Sequence, residues 1–133
     1  MERVQFANGN AFLRANATLV PTNFHLLTRL AYCIYIVYVQ YIHFVWDKAK
    51  NQQNLRKHGV SFNEARTAFF DENARIVHDP DHSGIEDRFI LLGMSRRLRL
   101  LLVCHCYREN EEQIRIFSAR KATTTESRQY ERS

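Results

Sequence analysis

The chain reads as an α+β domain of order β-α-α-β-β-β-β-α, with an antiparallel sheet, two early helices on one face and a short C-terminal helix. Three observations predict this. The stretches FVWDKAKNQQNLRKHGVSFNEA (44–65) and RIFSARKATTTESRQYE (115–131) each run from a strand pattern into a capped helix. Between them lie short apolar runs with tight connections, and consecutive strands joined that way pair as an antiparallel meander. At 133 residues, 45% of them hydrophobic, the chain has room for one such domain and a modest core.

Each element has a local cause. Residues 41–46 read as the first strand. Asp47 is a good N-cap for the helix KAKNQQNLRKH, and Gly59 is the residue expected just past its end. Ala49, Leu55 and His58 can supply one side of this otherwise polar helix. Ser61 and Glu64 make a capping box for a second helix, with Val60 as its staple. Phe62, Ala65, Ala68 and Phe69 then give it an apolar face, ending near Asp71. Strands follow at 74–79 and 87–95, the latter built on FILLG. Arg96 and Arg97 make a tight turn into 99–108, whose LLLV run predicts burial on both faces. The loop ENEE leads to 113–119, where Ile114 and Ile116 alternate with Arg115 and Phe117. Thr123 and Glu126 form a second capping box. It opens a last helix running to Arg132, placed at an edge or on the other face of the sheet.

Residues 1–38 stand apart from the domain at 39–133, because they lack caps and clear periodicity. From Leu30 to Trp46 there is no charge unless His43 is protonated. Such a run approaches a membrane span, which needs about 20 residues. Its Tyr, Ile and Val favour a strand instead, from about Ile34 to Trp46. A signal peptide is disfavoured, since no small-residue cleavage site follows.

The net charge of +5 favours a polyanionic partner such as RNA or DNA over an acidic substrate. Cys33, Cys104 and Cys106 make no disulfide framework, which fits a reducing cytosol. On a strand Cys104 and Cys106 share one face and His105 takes the other, so a zinc held by all three would require a broken strand. Two small core residues are the simpler reading of the thiols.

Several clusters could carry chemistry. The loop 78–83 offers His78, Asp79, Asp81 and His82 to a metal. Pro80 stiffens it, however, and Asp79 and Asp81 are ordinary turn formers. His82 alone can act as an acid or base, because an imidazole titrates near working pH. Glu86 and Arg88, two apart on an extended chain, share a face as either a solvated ion pair or a weak base beside a phosphate fork. Arg115, Arg120 and Lys121 lie on and just past the last strand, near the helix N-terminus at Thr123, Thr124 and Thr125. Cations and backbone donors converging there predict an anion site, with Tyr130 as a stacking ring or phenol. A basic rim with an aromatic staple is the competing reading. His58, in a helix's last turn, and His105, on a buried strand, read as structural.

In their order and spacing FVWDKAK, NLRKHGVSF, the DPDHS loop, DRFILLG, RLLLV and RIFSARKATTTESRQYE resemble the BrnT family of bacterial toxins, from about 41 to 131. The resemblance implies a RelE-like fold and a cytoplasmic ribonuclease toxin of a type II toxin–antitoxin pair. Such a toxin arrests translation by cutting RNA. Its partner would be a BrnA-like ribbon-helix-helix antitoxin, and operator DNA would be met only through their complex. It implies no membrane, no cofactor and no metal. The reaction is attack of a ribose 2′-hydroxyl on the adjacent phosphate, which needs a base, an acid and cations. The implied catalytic residues are Glu86, Arg88, Arg115 and Arg120, with His82; Lys121, Arg99 and Tyr130 would contact RNA. Two departures stand out. Gly84 and Ile85 occupy a stretch where the family carries more carboxylates, and the amino terminus is long. Val37 or Val39 would be the true start if read from a GTG codon, leaving 1–36 as translated upstream sequence. The competing functions are a degenerate toxin that only binds antitoxin, and a metal-dependent nuclease using His78, Asp79 and His82.

Overall fold

The computed structural model describes residues 33, 34, 37, 42–81, 84–108 and 112–132. The element order is the one read from the sequence. Strand β1 (His43–Val45) leads into helix α1 (Lys48–His58). Helix α2 (Phe62–Ala65) continues as a 3-10 turn (Arg66–Phe70). Strands β2 (Arg75–Asp79), β3 (Arg88–Met94), β4 (Leu100–Arg108) and β5 (Gln113–Lys121) precede helix α3 (Thr124–Glu131). Most of the segment 1–38 lies outside the described residues. Cys33, Ile34 and Val37 have helical backbone, and the strand expected from Ile34 begins at His43. No described helix is long and apolar enough to cross a membrane.

The sheet order is β1-β5-β4-β3-β2. The last four strands form the expected antiparallel meander. The sheet as a whole is mixed, because β1 lies parallel to β5. Parallel neighbours need a long crossover, here nearly the whole domain, so no local turn signals this pairing.

Local chemistry sets the helix ends. The Asp47 side chain accepts from Lys50 N at 2.9 Å. Gly59 closes α1 at φ 67, a left-handed conformation that a side chain would strain. Thr123 and Glu126 complete the capping box of α3. The box expected at α2 is only half formed. Ser61 accepts from Glu64 N, but the buried Glu64 carboxylate binds Arg99 and Ser95.

The core lies between the sheet and α1, α2 and the 3-10 turn. Phe62, Ala65, Ala68 and Phe69 pack on Leu91, Leu101, Val103, Ile114, Ile116 and Ala119. Gly93 permits this approach: a Cβ there would meet the Ala68 carbonyl oxygen at 2.8 Å. The expected apolar side of α1 is not what anchors it, since Ala49 and Leu55 are exposed. Asn54 anchors it instead. Its amide donates to the Val60 and Ala119 carbonyls at 2.8 and 2.7 Å and accepts from Ala119 N at 3.1 Å. β1 pairs only with residues 113–115 of β5. Further along, Asn54 satisfies the backbone that a longer edge strand would have met.

A smaller cluster occupies the opposite face. Ile90, Leu92 and Leu102 pack with Val77, Leu100, Cys104, Ala122 and Tyr130, so α3 covers that half of the sheet.

Candidate active site

Directly opposed residues in a sheet project from the same face, so the register arranges side chains in rows. On the face away from the large core, one row crosses all five strands: Asp79, Arg88, Cys106, Arg115 and Val45. The next row toward the β1 end is Arg108, Gln113 and His43. In the other direction come Val77, Ile90, Cys104 and Ser118, then Arg75, Leu92, Leu102 and Arg120. α3 sits over these last two rows. The first two are polar and carry Arg88, Arg108 and Arg115 side by side.

Glu86 reaches into this polar half just before β3. It pairs with Arg108, and the Cys106 thiol donates to its other oxygen at 3.5 Å. Burial pushes the Glu86 carboxyl up, but the bonds from Arg108 and Cys106 and the charges of Arg108 and Arg115 outweigh it. Its pKa ends below the ordinary carboxylate value, leaving an ionised group and a weak base. Burial first, and Glu86 second, push the Cys106 thiol up, so it stays a protonated donor.

A β-bulge shapes the floor. Cys104 pairs with Ser118 and His105 with Ile116, so Phe117 is the extra residue in β5. A bulge re-aims its side chain and often borders a functional site. The Arg88 guanidinium lies 4.3 Å from the Phe117 ring centroid, that of Arg115 5.5 Å, and the Lys50 ammonium of α1 5.8 Å.

The structure thus brings together Glu86, Arg88 and Arg115 from the predicted set. Arg120 sits at the far end of β5, in a two-pronged pair with Glu126 at 2.9 Å on each prong. The anion received by Arg120 and the α3 N-terminus is Glu126's own carboxylate, which also accepts from Thr123 N at 2.7 Å. Lys121 is exposed beyond Arg120. The Tyr130 hydroxyl donates to Asp71 at 2.7 Å. Burial and then Asp71 raise its pKa, so the phenol stays protonated. Arg99 lies on the helix-covered side, bonded to Glu64 and to the Gly59 carbonyl. His82 lies outside the described residues. His78 faces Asp87 at 3.3 Å, and no described group of three His, Cys, Asp or Glu side chains could hold a metal.

Sequence reasoning missed Arg108 and His43 on this face and Lys50 of α1 beside it, and it set Phe117 in alternation with Arg115 without giving the ring a part in the site. Arg108 was within reach, because it shares the alternation of Cys104 and Cys106 along β4. The bulge at Phe117 had no local signal.

A family model described as "Ribonuclease toxin, BrnT, of type II toxin-antitoxin system" matches residues 46–126. No curated protein matches the chain. Among solved structures, the Brucella abortus ribonuclease toxin BrnT is similar, at TM-score 0.50 and 22% identity. The match covers 62% of this chain and 99% of that one. At that identity the likeness speaks for the fold.

Proposed function

This chain belongs to the BrnT family of ribonuclease toxins of type II toxin–antitoxin systems, and from that premise we propose that it is a metal-independent RNA endonuclease that arrests translation. The observation that carries the reading is the polar half of the sheet, where Arg88, Arg108 and Arg115 flank one ionised carboxylate. Arg88 and Arg115 hold the scissile phosphate and offset the charge that builds as the 2′-hydroxyl attacks. Arginine supplies this charge without a cofactor. Glu86, oriented by Arg108, accepts the 2′-hydroxyl proton, and His82 returns one to the leaving 5′-oxygen. Arg120 acts through Glu126, setting the position of α3 beside the site. Lys121 meets the RNA backbone outside the site, and Arg99 and Tyr130 contribute through the fold that presents it. A BrnA-like antitoxin neutralises the toxin, and operator DNA is met only by the pair.

The test is cleavage of single-stranded RNA by the purified chain in excess EDTA. The products should end in a 2′,3′-cyclic phosphate or its opened 3′-phosphate, and a 2′-O-methyl group at the cut site should block the reaction. Arg88→Ala and Arg115→Ala should each lower the rate by about 10²–10³, the usual cost of removing one transition-state charge contact. Cleavage of DNA, or 3′-hydroxyl ends made only with added Mg²⁺, would overturn this mechanism. A folded chain that binds its antitoxin but cuts no RNA would instead establish the degenerate, partner-binding reading.

A further inference from the structure

We infer that Phe117 is a positioning residue that gathers Arg88, Arg115 and Lys50 into one binding site for the RNA backbone. The inference takes its substrate from the ribonuclease reading, but the cluster itself stands on geometry. The three cations come from three elements, β3, β5 and α1, and converge on one ring at 4.3, 5.5 and 5.8 Å. Like charges brought this close repel, and nothing in a strand register or a helix turn draws Lys50 toward Arg88. The negative face of an aromatic ring does, because its quadrupole attracts cations within about 6 Å. Alternation along β5 delivers the ring, because Phe117 lies two residues past Arg115 and so shares its face. The bulge at Phe117 then shifts the alternation, so that Ser118 and Arg120 continue this face and Ala119 turns into the core. Lys50 is fixed at its base, since its backbone N–H is bonded to Asp47 in the first turn of α1. Its ammonium adds a third positive charge beside two forked guanidinia. Such a set fits two neighbouring phosphates of a single strand better than one isolated anion.

The bland alternative is that Phe117 merely covers the bulge. Phe117→Leu keeps the apolar cover and removes the π face, while Phe117→Tyr keeps both. In the full-length chain, proton NMR should show the Arg88 and Arg115 side-chain signals shifted upfield by the ring. The shift should be kept in Phe117→Tyr and lost in Phe117→Leu. Phe117→Leu should lower kcat for RNA cleavage by about tenfold or more, since small displacements of a catalytic group cost that much. Phe117→Tyr should stay within about threefold of the unaltered chain. Lys50→Ala should weaken binding of a 2′-O-methyl oligoribonucleotide and reduce its log–log salt slope by about 0.7, one phosphate contact on a single strand. Equal kcat in all three chains, equal loss in Leu and Tyr, or absent ring-current shifts would overturn the inference. If the unaltered chain cuts no RNA, the ribonuclease reading alone fails, and the NMR and binding arms still decide this one.

Discussion

His105 is fully buried, edge-on to Phe69 at 4.8 Å between ring centroids and packed beside Phe89. Its Nδ1 faces the Val103 carbonyl at 3.2 Å, which assigns the proton to that nitrogen, and its Nε2 accepts from the Tyr107 hydroxyl at 3.1 Å. Burial lowers its pKa to about 4, against a smaller upward pull from the Val103 carbonyl. The unfolded chain takes up a proton near pH 6.5, but the folded chain does not until about pH 4. Between those values the unfolded state binds more protons. Stability therefore falls as the pH drops through this window and levels off below it, by roughly 3 kcal/mol in total. Denaturant unfolding at pH 7, 5.5 and 4.5 should show this loss, with a flatter dependence in His105→Gln. Equal slopes in the two chains would remove His105 as the cause. Asn54 makes a second residue-scale case. Asn54→Ala would orphan both backbone groups of Ala119 and the Val60 carbonyl, and should cost about 3 kcal/mol in unfolding free energy. A cost below about 1 kcal/mol would show that water replaces the amide.

Among elements, the β3–β4 hairpin contains the clearest local conflict. Leu98 has φ 58 and is 83% exposed, so it bears left-handed strain with no packing to offset it. A three-residue hairpin loop places glycine at this position by default. Leu98→Gly should therefore raise stability by about 1 kcal/mol, even after the entropy that glycine adds to the unfolded chain. A lower melting temperature would mean that the leucine contributes through a contact of its own. Elements whose cause is local were legible in the sequence. Asp47 and Gly59 bracket α1, and Thr123 with Glu126 opens α3, because a cap depends on residues three or four positions away. Elements whose cause is distant were not. The Glu64 carboxylate left its capping box for Arg99, 35 residues on, and α1 docked through Asn54 onto a carbonyl 65 residues away. Nothing in KAKNQQNLRKH distinguishes that asparagine from its neighbours.

At the scale of the whole molecule, the candidate site exists because α3 covers only half of one sheet face. Arg88 and Arg115 were readable as strand cations, but their adjacency follows from register through Cys106, and the Glu86–Arg108 pair follows from the same register. Phe117 shares their face by alternation from Arg115, but the bulge beside it, which re-faces the rest of β5, depends on the whole β4–β5 pairing. The described core has the same global character. Its buried members run from Ile42 to Ala119, and β1 starts at His43. Every described strand of the sheet, the caps of α1 and α3 and all the polar rows of the site lie downstream of residue 39. A chain beginning at Val39 keeps the parallel β1–β5 edge and the β1–α1 junction through Trp46, which packs on Phe62 at 6.1 Å. We predict that this shorter chain is soluble, melts within about 4 °C of the full chain, and cleaves RNA at the same rate. That margin corresponds to about 1 kcal/mol for a domain of this size. Aggregation of the short chain under conditions where the full chain stays soluble would show that residues 1–38 supply a needed part of the fold.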